Sequence, residues 1–338
     1  MSKMLEYLED FPAQCEKAVQ IARKYPIDMR RYDSIHQVVV CGMGGSAAGG
    51  DLLKAYLRKE AKIPVEVNRD YLLPQYVGEN TLVFASSYSG NTEETLSAYQ
   101  DALSRSAKIV AITSGGKLKE LCLKDGIDVI EIVGGMPPRA TFGYLFFSML
   151  TFLERLGLIG SKEEEIRETI ENLQILSKEY NPQSKANLAK EIAEKIKGYL
   201  LLIYAPDHLA ACAVRWKNQF SENSKSLAFF SLLPEMNHNE IEVWATGSEF
   251  TKKFYLIFLR DNAENERIKQ RIIITESILK DKVASVQHVI SRGKSLLSRF
   301  YSLIYLGDWV STYLALANSV DPIPTPMIDL LKKRLSQL

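Results

Sequence analysis

Residues 37–41, Gln-Val-Val-Val-Cys, form a short apolar run that stops at Gly42-Met-Gly-Gly-Ser-Ala-Ala-Gly-Gly-Asp51, after which residues 52–59 are patterned as a helix. A few consecutive apolar residues bounded by glycines predict a buried strand, so this stretch predicts strand, tight turn and helix. The pattern recurs, with strands over 64–67, 81–85, 108–112 and 128–132. Between and after them come a helix from Thr92 capped by Asn91, a short helix after Lys117 and a long one from about Arg139. Strands alternating with helices imply a mostly parallel sheet covered on both faces.

At Gly160-Ser161-Lys-Glu-Glu-Glu the chain turns into a charged helical segment, with Ser161 and Glu164 at capping-box spacing. A boundary is expected there, giving a first domain over 1–158 and a linker helix with a second domain over 161–338. After Pro182 the alternation restarts: helix 184–197, apolar strand 199–204, helix 208–222, strands 226–230 and 252–259, charged helix 263–278, strand 283–290 and helix 294–317. The predicted fold class is α/β, in two tandem doubly wound, mostly parallel-sheet domains. A length of 338 residues agrees, since single cores stop growing at about 250–300 residues. With no flexible Gly/Ser linker, the crevice between the halves is the expected place for a site.

Composition narrows the function. Hydrophobic residues make up 46%, charged residues 25%, and the formal net charge is +1, so no global field concentrates nucleic acid or anionic membrane. Any anion must be recognised locally. The start carries acidic residues where a signal peptide has basic ones, and the longest apolar stretches, 142–153 and 199–205, fall short of the ~18 residues of a membrane span. Cys15, Cys41, Cys122 and Cys212 are scattered, without Cys-x-x-Cys spacing or a His pair arranged for zinc. A cytoplasmic protein with no metal, no nucleic-acid partner and no membrane partner is expected, with Cys41 read as a small buried hydrophobe.

Gly42-Met43-Gly44-Gly45-Ser46-Ala47 formally matches the dinucleotide pattern G-x-G-x-x-A. That reading is rejected: the acidic residue wanted at the end of the next strand is absent, because Glu66 lies mid-strand, and no cofactor is expected. The decisive segment is Ser86-Ser87-Tyr88-Ser89-Gly90-Asn91-Thr92-Glu93-Glu94-Thr95, which follows a strand and opens a helix. Unpaired N–H groups and the positive dipole end favour an anion there, and the hydroxyls supply neutral donors suited to a phosphate. A second turn, Thr113-Ser114-Gly115-Gly116-Lys117, either touches the same ligand or merely reverses the chain.

The Ser-x-Ser-Gly-Asn-Thr segment, with the upstream Gly-Met-Gly-Gly-Ser-Ala turn, resembles the sugar isomerase domain. Pro137-Pro138-Arg139-Ala140, Phe220-Ser221-Glu222-Asn223-Ser224-Lys225 and Asn237-His238-Asn239-Glu240 resemble the bifunctional phosphoglucose/phosphomannose isomerases in particular. The resemblance covers both halves. It implies a metal-free isomerase that interconverts glucose 6-phosphate and mannose 6-phosphate with fructose 6-phosphate through a cis-enediol. It implies Glu222 as carbon base, His238 as the group that opens the sugar ring and Arg139 as the cation facing the enediolate. Gly44, Gly45, Ser46, Ser87, Ser89 and Thr92 are then substrate-binding, and Thr312, with Ser311 as competitor, governs mannose-type activity. The family also implies a homodimer with shared active sites and a lysine near the reacting oxygens, yet no lysine lies between Lys294 and Lys332. The alternative is a sugar-phosphate sensor of the same fold without turnover.

Overall fold

In the computed structural model, which describes residues 2–337, the apolar runs become parallel strands, the central ones buried on both sides. Helices α1 (Lys3–Glu9) and α2 (Phe11–Lys24) precede strand β1 (Gln37–Cys41). There follow α3 (Gly44–Leu57), β2 (Val65–Asn68), β3 (Thr81–Ser86), α4 (Glu93–Ser104), β4 (Lys108–Thr113), α5 (Gly116–Asp125), β5 (Asp128–Glu131), α6 (Phe142–Arg155) and α7 (Glu163–Tyr180). The five strands form one parallel sheet in the order β2-β1-β3-β4-β5. All six residues of β3 are buried, as a central parallel strand requires. One face of the sheet packs Val39, Cys41, Val83 and Ala85 against Ala98 and Tyr99 of α4 and Leu118 and Cys122 of α5. Opposite, Phe84 meets Phe152 of α6 edge-on at 5.9 Å.

The chain continues with α8 (Leu188–Ile196), β6 (Leu200–Pro206), α9 (Ala210–Gln219), β7 (Ala228–Leu233), β8 (Phe254–Arg260), α10 (Glu266–Leu279), β9 (Ser285–Ile290), α11 (Leu296–Ala317) and α12 (Pro326–Leu335). A second parallel sheet runs β7-β6-β8-β9. Tyr204, Leu256 and Phe258 pack against Trp244 and against Ile272 and Leu279 of α10.

Two compact units result, one of Asp10–Gln174 with Gly293–Ser298, the other of Met1–Glu9, Ile175–Arg292 and Arg299–Leu338. The break expected after residue 158 falls inside the first unit, which runs on through most of α7. At the start of α7, Ser161 accepts the Glu163 N–H at 3.5 Å and donates to Glu154 at 3.0 Å, rather than pairing with Glu164 as a capping box.

Other boundaries also move. The helix expected from residue 52 begins at Gly44, although glycine costs a helix about 1 kcal/mol per residue; close packing outweighs propensity there. Thr92, not Asn91, occupies the cap position of α4. The expected helix 208–222 is three pieces: a 3₁₀ turn at Asp207–Leu209, α9, and a π-turn at Phe220–Ser224.

Candidate active site

In a 2-1-3-4-5 sheet the helices after β1 and β3 leave on opposite faces, which opens a crevice at the carboxyl ends of those two strands. Three turns converge there. Gly42 lies so near Ser86 that a β-carbon on it would be 2.8 Å from the Ser86 carbonyl oxygen. Ser46 Oγ accepts the Tyr88 N–H at 3.4 Å. Gly45 packs on the 3₁₀ turn Pro138–Thr141, where an added β-carbon would lie 2.9 Å from Pro138 O and 3.4 Å from Arg139 Cα. Only glycine permits that approach, and it brings the Gly44-Gly45-Ser46 turn beside Arg139, which is 4% exposed.

Within the loop after β3, Ser87 Oγ donates to Thr92 Oγ1 at 2.9 Å and Ser89 Oγ accepts the Asn91 N–H at 3.2 Å. Thr92 makes no side-chain cap bond to α4, and the first-turn N–H groups of a helix have no partner inside it. Because the Ser87 proton already serves Thr92, the Thr92 hydroxyl proton is free to point elsewhere. The loop therefore carries hydroxyls and a dipole end suited to an anion.

The neighbouring turn supports the loop. Ser114 donates to Tyr88 O through both its N–H, at 3.0 Å, and its hydroxyl, at 2.7 Å. Lys117 N donates to Asn91 Oδ1 at 3.0 Å and Leu118 N to Gly90 O at 2.8 Å. These donors are turned onto the loop, so the turn buttresses it. Tyr88, whose hydroxyl accepts the Met136 N–H at 2.9 Å, is a second support; its place inside the hydroxyl motif was the available signal.

In the other unit Glu222 is half-buried in the π-turn that prolongs α9. The adjoining Asn223 donates to Ser311 Oγ at 2.9 Å, joining this turn to the stretch of α11 that carries Thr312. Thr312 is fully buried and its hydroxyl donates to Asp308 O at 2.9 Å. His238 ends a 3₁₀ turn, Glu235–His238, and is exposed. Its loop is fixed by Asn237 donating to Thr275 at 2.9 Å and by Glu240, which accepts from Tyr204 at 2.7 Å and from Ser231. A cavity of about 480 Å³ opens beside this loop, lined by Asp207, Phe230, Leu232, Pro234, Glu235 and Asn239. Gly44, Gly45, Ser46, Ser87, Ser89, Thr92 and Arg139 thus lie on three converging turns; Glu222 and Thr312 are linked only through their neighbours Asn223 and Ser311; His238 stands on a loop of its own.

The second sheet has its own crevice position, at the ends of β6 and β8. There His208 meets Asp261 at 3.0 Å, and Asp261 also takes Arg299 at 2.7 Å and Ser291 at 3.1 Å. Burial pushes the Asp261 carboxyl up, but His208, the Ala263 N–H, Arg299 and Ser291 outweigh it and hold the group at about 2. All four cysteines are buried, and burial pushes the Cys41 thiol up to about 12, so it is no thiolate at neutral pH. Among the described residues no helix is long and apolar enough to cross a membrane, and no three His, Cys, Asp or Glu side chains are grouped to hold a metal ion.

Comparison with known proteins agrees with this picture. Residues 32–122 match the SIS domain model, and residues 185–335 the model of the bacterial phospho-glucose isomerase C-terminal SIS domain. The tagatose-6-phosphate ketose/aldose isomerase of Escherichia coli shares the fold with a TM-score of 0.72, at 13% identity over 94% of this chain and 93% of that one. The bifunctional phosphoglucose/phosphomannose isomerase of Caldicellulosiruptor bescii is 45% identical over 99% of both chains. That of Aquifex aeolicus is 38% identical over 89% of this chain and 90% of its own. Fold and matches define a protein of two tandem sugar isomerase domains. The chain belongs to the bifunctional phosphoglucose/phosphomannose isomerase family.

Proposed function

We propose that this protein interconverts glucose 6-phosphate and mannose 6-phosphate with fructose 6-phosphate, through a cis-enediol and without a metal ion. The observation that carries the reading is the convergence of the Gly44-Gly45-Ser46 turn, the Ser87–Thr92 hydroxyls and the buried Arg139 on one crevice. The hydroxyl loop grips the phosphate and so fixes C1 and C2. His238 moves a proton between the ring oxygen and the anomeric hydroxyl, which opens the sugar.

Glu222 then takes the proton from C2 of the open aldose. The C–H electron pair forms the C1–C2 double bond as the carbonyl pair moves onto O1, and the Arg139 guanidinium stabilises that charge where it develops. A proton passes from O2 to O1, the O2 electron pair forms the C2 carbonyl as the double-bond pair takes the proton back from Glu222 at C1, and the ketose is complete. One carboxylate is enough as base.

A homodimer, in which His238 reaches the neighbouring subunit's site, belongs to this reading. Mixing inactive Glu222→Gln with inactive His238→Ala subunits is then expected to restore part of the activity.

The test of the whole reading is an assay of chelator-treated protein for fructose 6-phosphate formed from each aldose. Turnover of both supports it. Tight sugar-phosphate binding with no turnover would favour a sensor, and loss of both reactions on chelation would overturn the metal-free route. Glu222→Gln is expected to keep substrate affinity and lose at least about a thousandfold in turnover. Wild-type entry of solvent deuterium at C2 in that variant would mean another base.

A further inference from the structure

The turn that carries Glu222 is fastened by a buried polar stripe that takes no part in the proposed proton transfers. Arg215 and Gln219 of α9 both reach Asp308 of α11, Arg215 Nη2 at 2.7 Å and Gln219 Nε2 at 2.9 Å. Four residues further on, Asn223 donates to Ser311 Oγ at 2.9 Å, and Ser311 in turn donates to Asp308 O at 3.0 Å. All five side chains are buried, each 3% exposed or less. Residues 215, 219 and 223 therefore form one line along one helix flank.

In an uninterrupted α-helix every fourth residue drifts roughly 40° around the axis, so 215, 219 and 223 would form an inclined ridge rather than a line parallel to the axis. The wider i→i+5 turn at Phe220–Ser224 offsets the drift and lands Asn223 on Ser311. Such turns are rare and concentrate at functional sites. A staple alone needs no amide here, because an apolar side chain would fill the space without a donor to satisfy.

We infer that Asn223 is a positioning residue: its bond to Ser311 sets the rotation of the π-turn and so aims the Glu222 carboxylate at the reacting carbons. This rests on Glu222 as the carbon base. Displacing a catalytic group by about 1 Å costs on the order of a hundredfold in rate.

Asn223→Ala and Ser311→Ala are each expected to lower kcat by roughly 10- to 100-fold with KM for glucose 6-phosphate within about twofold. In both, the isotope effect with C2-deuterated substrate should rise as proton abstraction becomes slower. The double variant should be no worse than the poorer single one, since both break the same bond. If Glu222→Gln is inactive while Ser311→Ala and Asn223→Ala keep the wild-type kcat and isotope effect, the inference is wrong and the base stands. If Glu222→Gln is itself fully active, the reading beneath it has failed instead. A loss of kcat that is matched by an equal rise in KM and a lowered melting temperature, in whichever variant folds, would reduce the Asn223–Ser311 bond to a structural role and overturn the inference too.

Discussion

A β-carbon placed on Gly90 would stand 1.8 Å from the carbonyl oxygen of Gly115, so the hydroxyl loop and the turn after β4 are in backbone contact. The contact is reciprocal, because a β-carbon on Gly116 would lie 2.3 Å from Ser89 O. Gly90 also sits at φ +69°, where an L side chain costs about 1–2 kcal/mol even in open space.

Gly90→Ala is accordingly expected to push the two turns apart. A loss of at least about 2 kcal/mol of stability should accompany weaker binding of inorganic phosphate, since strained backbone positions are among the causes of large effects. Thermal melting and calorimetry check both. A variant that melts and binds like the wild type would show that this contact does not shape the loop.

Thr92→Val removes one donor at nearly constant shape, together with the acceptor of the Ser87 hydroxyl. A hydrogen bond to a charged group is worth about 1.5–3 kcal/mol, which corresponds to a loss of roughly tenfold or more in affinity. Inorganic phosphate and sugar phosphates should weaken by the same factor in calorimetry. Equal affinity for phosphate before and after substitution would remove Thr92 from the site.

Why the strands could be read from sequence while much else could not follows from what sets each element. β3 is buried along its whole length, so its middle, residues 82–85, is an unbroken apolar run between Thr81 and Ser86, and the middles of β1, β4 and β6 follow the same logic. The start of α3 at Gly44 defied propensity because the glycines there answer to Pro138, Arg139 and Ser86, which are distant in sequence. The π-turn at Phe220–Ser224 depends on Ser311, 88 residues away, and no local pattern announces it. The phosphate loop was legible since hydroxyls, glycine and a helix start are consecutive, whereas its supports, Tyr88 and Ser114, emerge only when β3 pairs with β4. Helices α1 and α2 add to the expected elements, and Leu5, Leu8, Phe11, Cys15, Ala18 and Ala22, all buried, repeat at helical spacing there.

Asp261 gives a pH dependence of known sign. Its carboxyl is held at about 2 against an ordinary 3.8, so its stabilising contribution is complete above pH 3.8. That contribution is lost as the pH falls from about 4 through 2, where the unfolded chain takes up a proton that the folded one refuses. Asp261→Asn should therefore lower stability at neutral pH and flatten the decline between about pH 4 and pH 2. Urea midpoints at a series of pH values measure this. An unchanged acid slope in the variant would mean that the His208–Asp261–Arg299 cluster carries no linked proton.

Thr312 provides the sharpest test of how one site could serve two epimers. Glucose and mannose 6-phosphates differ only at C2, the carbon that becomes planar in the enediol, so the face of reprotonation decides the product. For Glu222 to meet either face, the C2–C3 bond must rotate, which needs room around C3 and a small hydroxyl to hold the rotated form. A long side chain is a poor probe, because Thr312 is fully buried and overpacking alone costs about 1–3 kcal/mol. Thr312→Val keeps the volume and removes only the hydroxyl, which now donates to Asp308 O. That carbonyl still receives Ser311 at 3.0 Å, so it is not left unsatisfied and the fold should tolerate the change. The expected outcome is a fall in kcat/KM for mannose 6-phosphate of roughly tenfold, the scale of one hydrogen bond in a transition state, with glucose 6-phosphate reduced by less than about threefold. Parallel losses on both substrates would assign Thr312 to the helix and not to the choice between epimers.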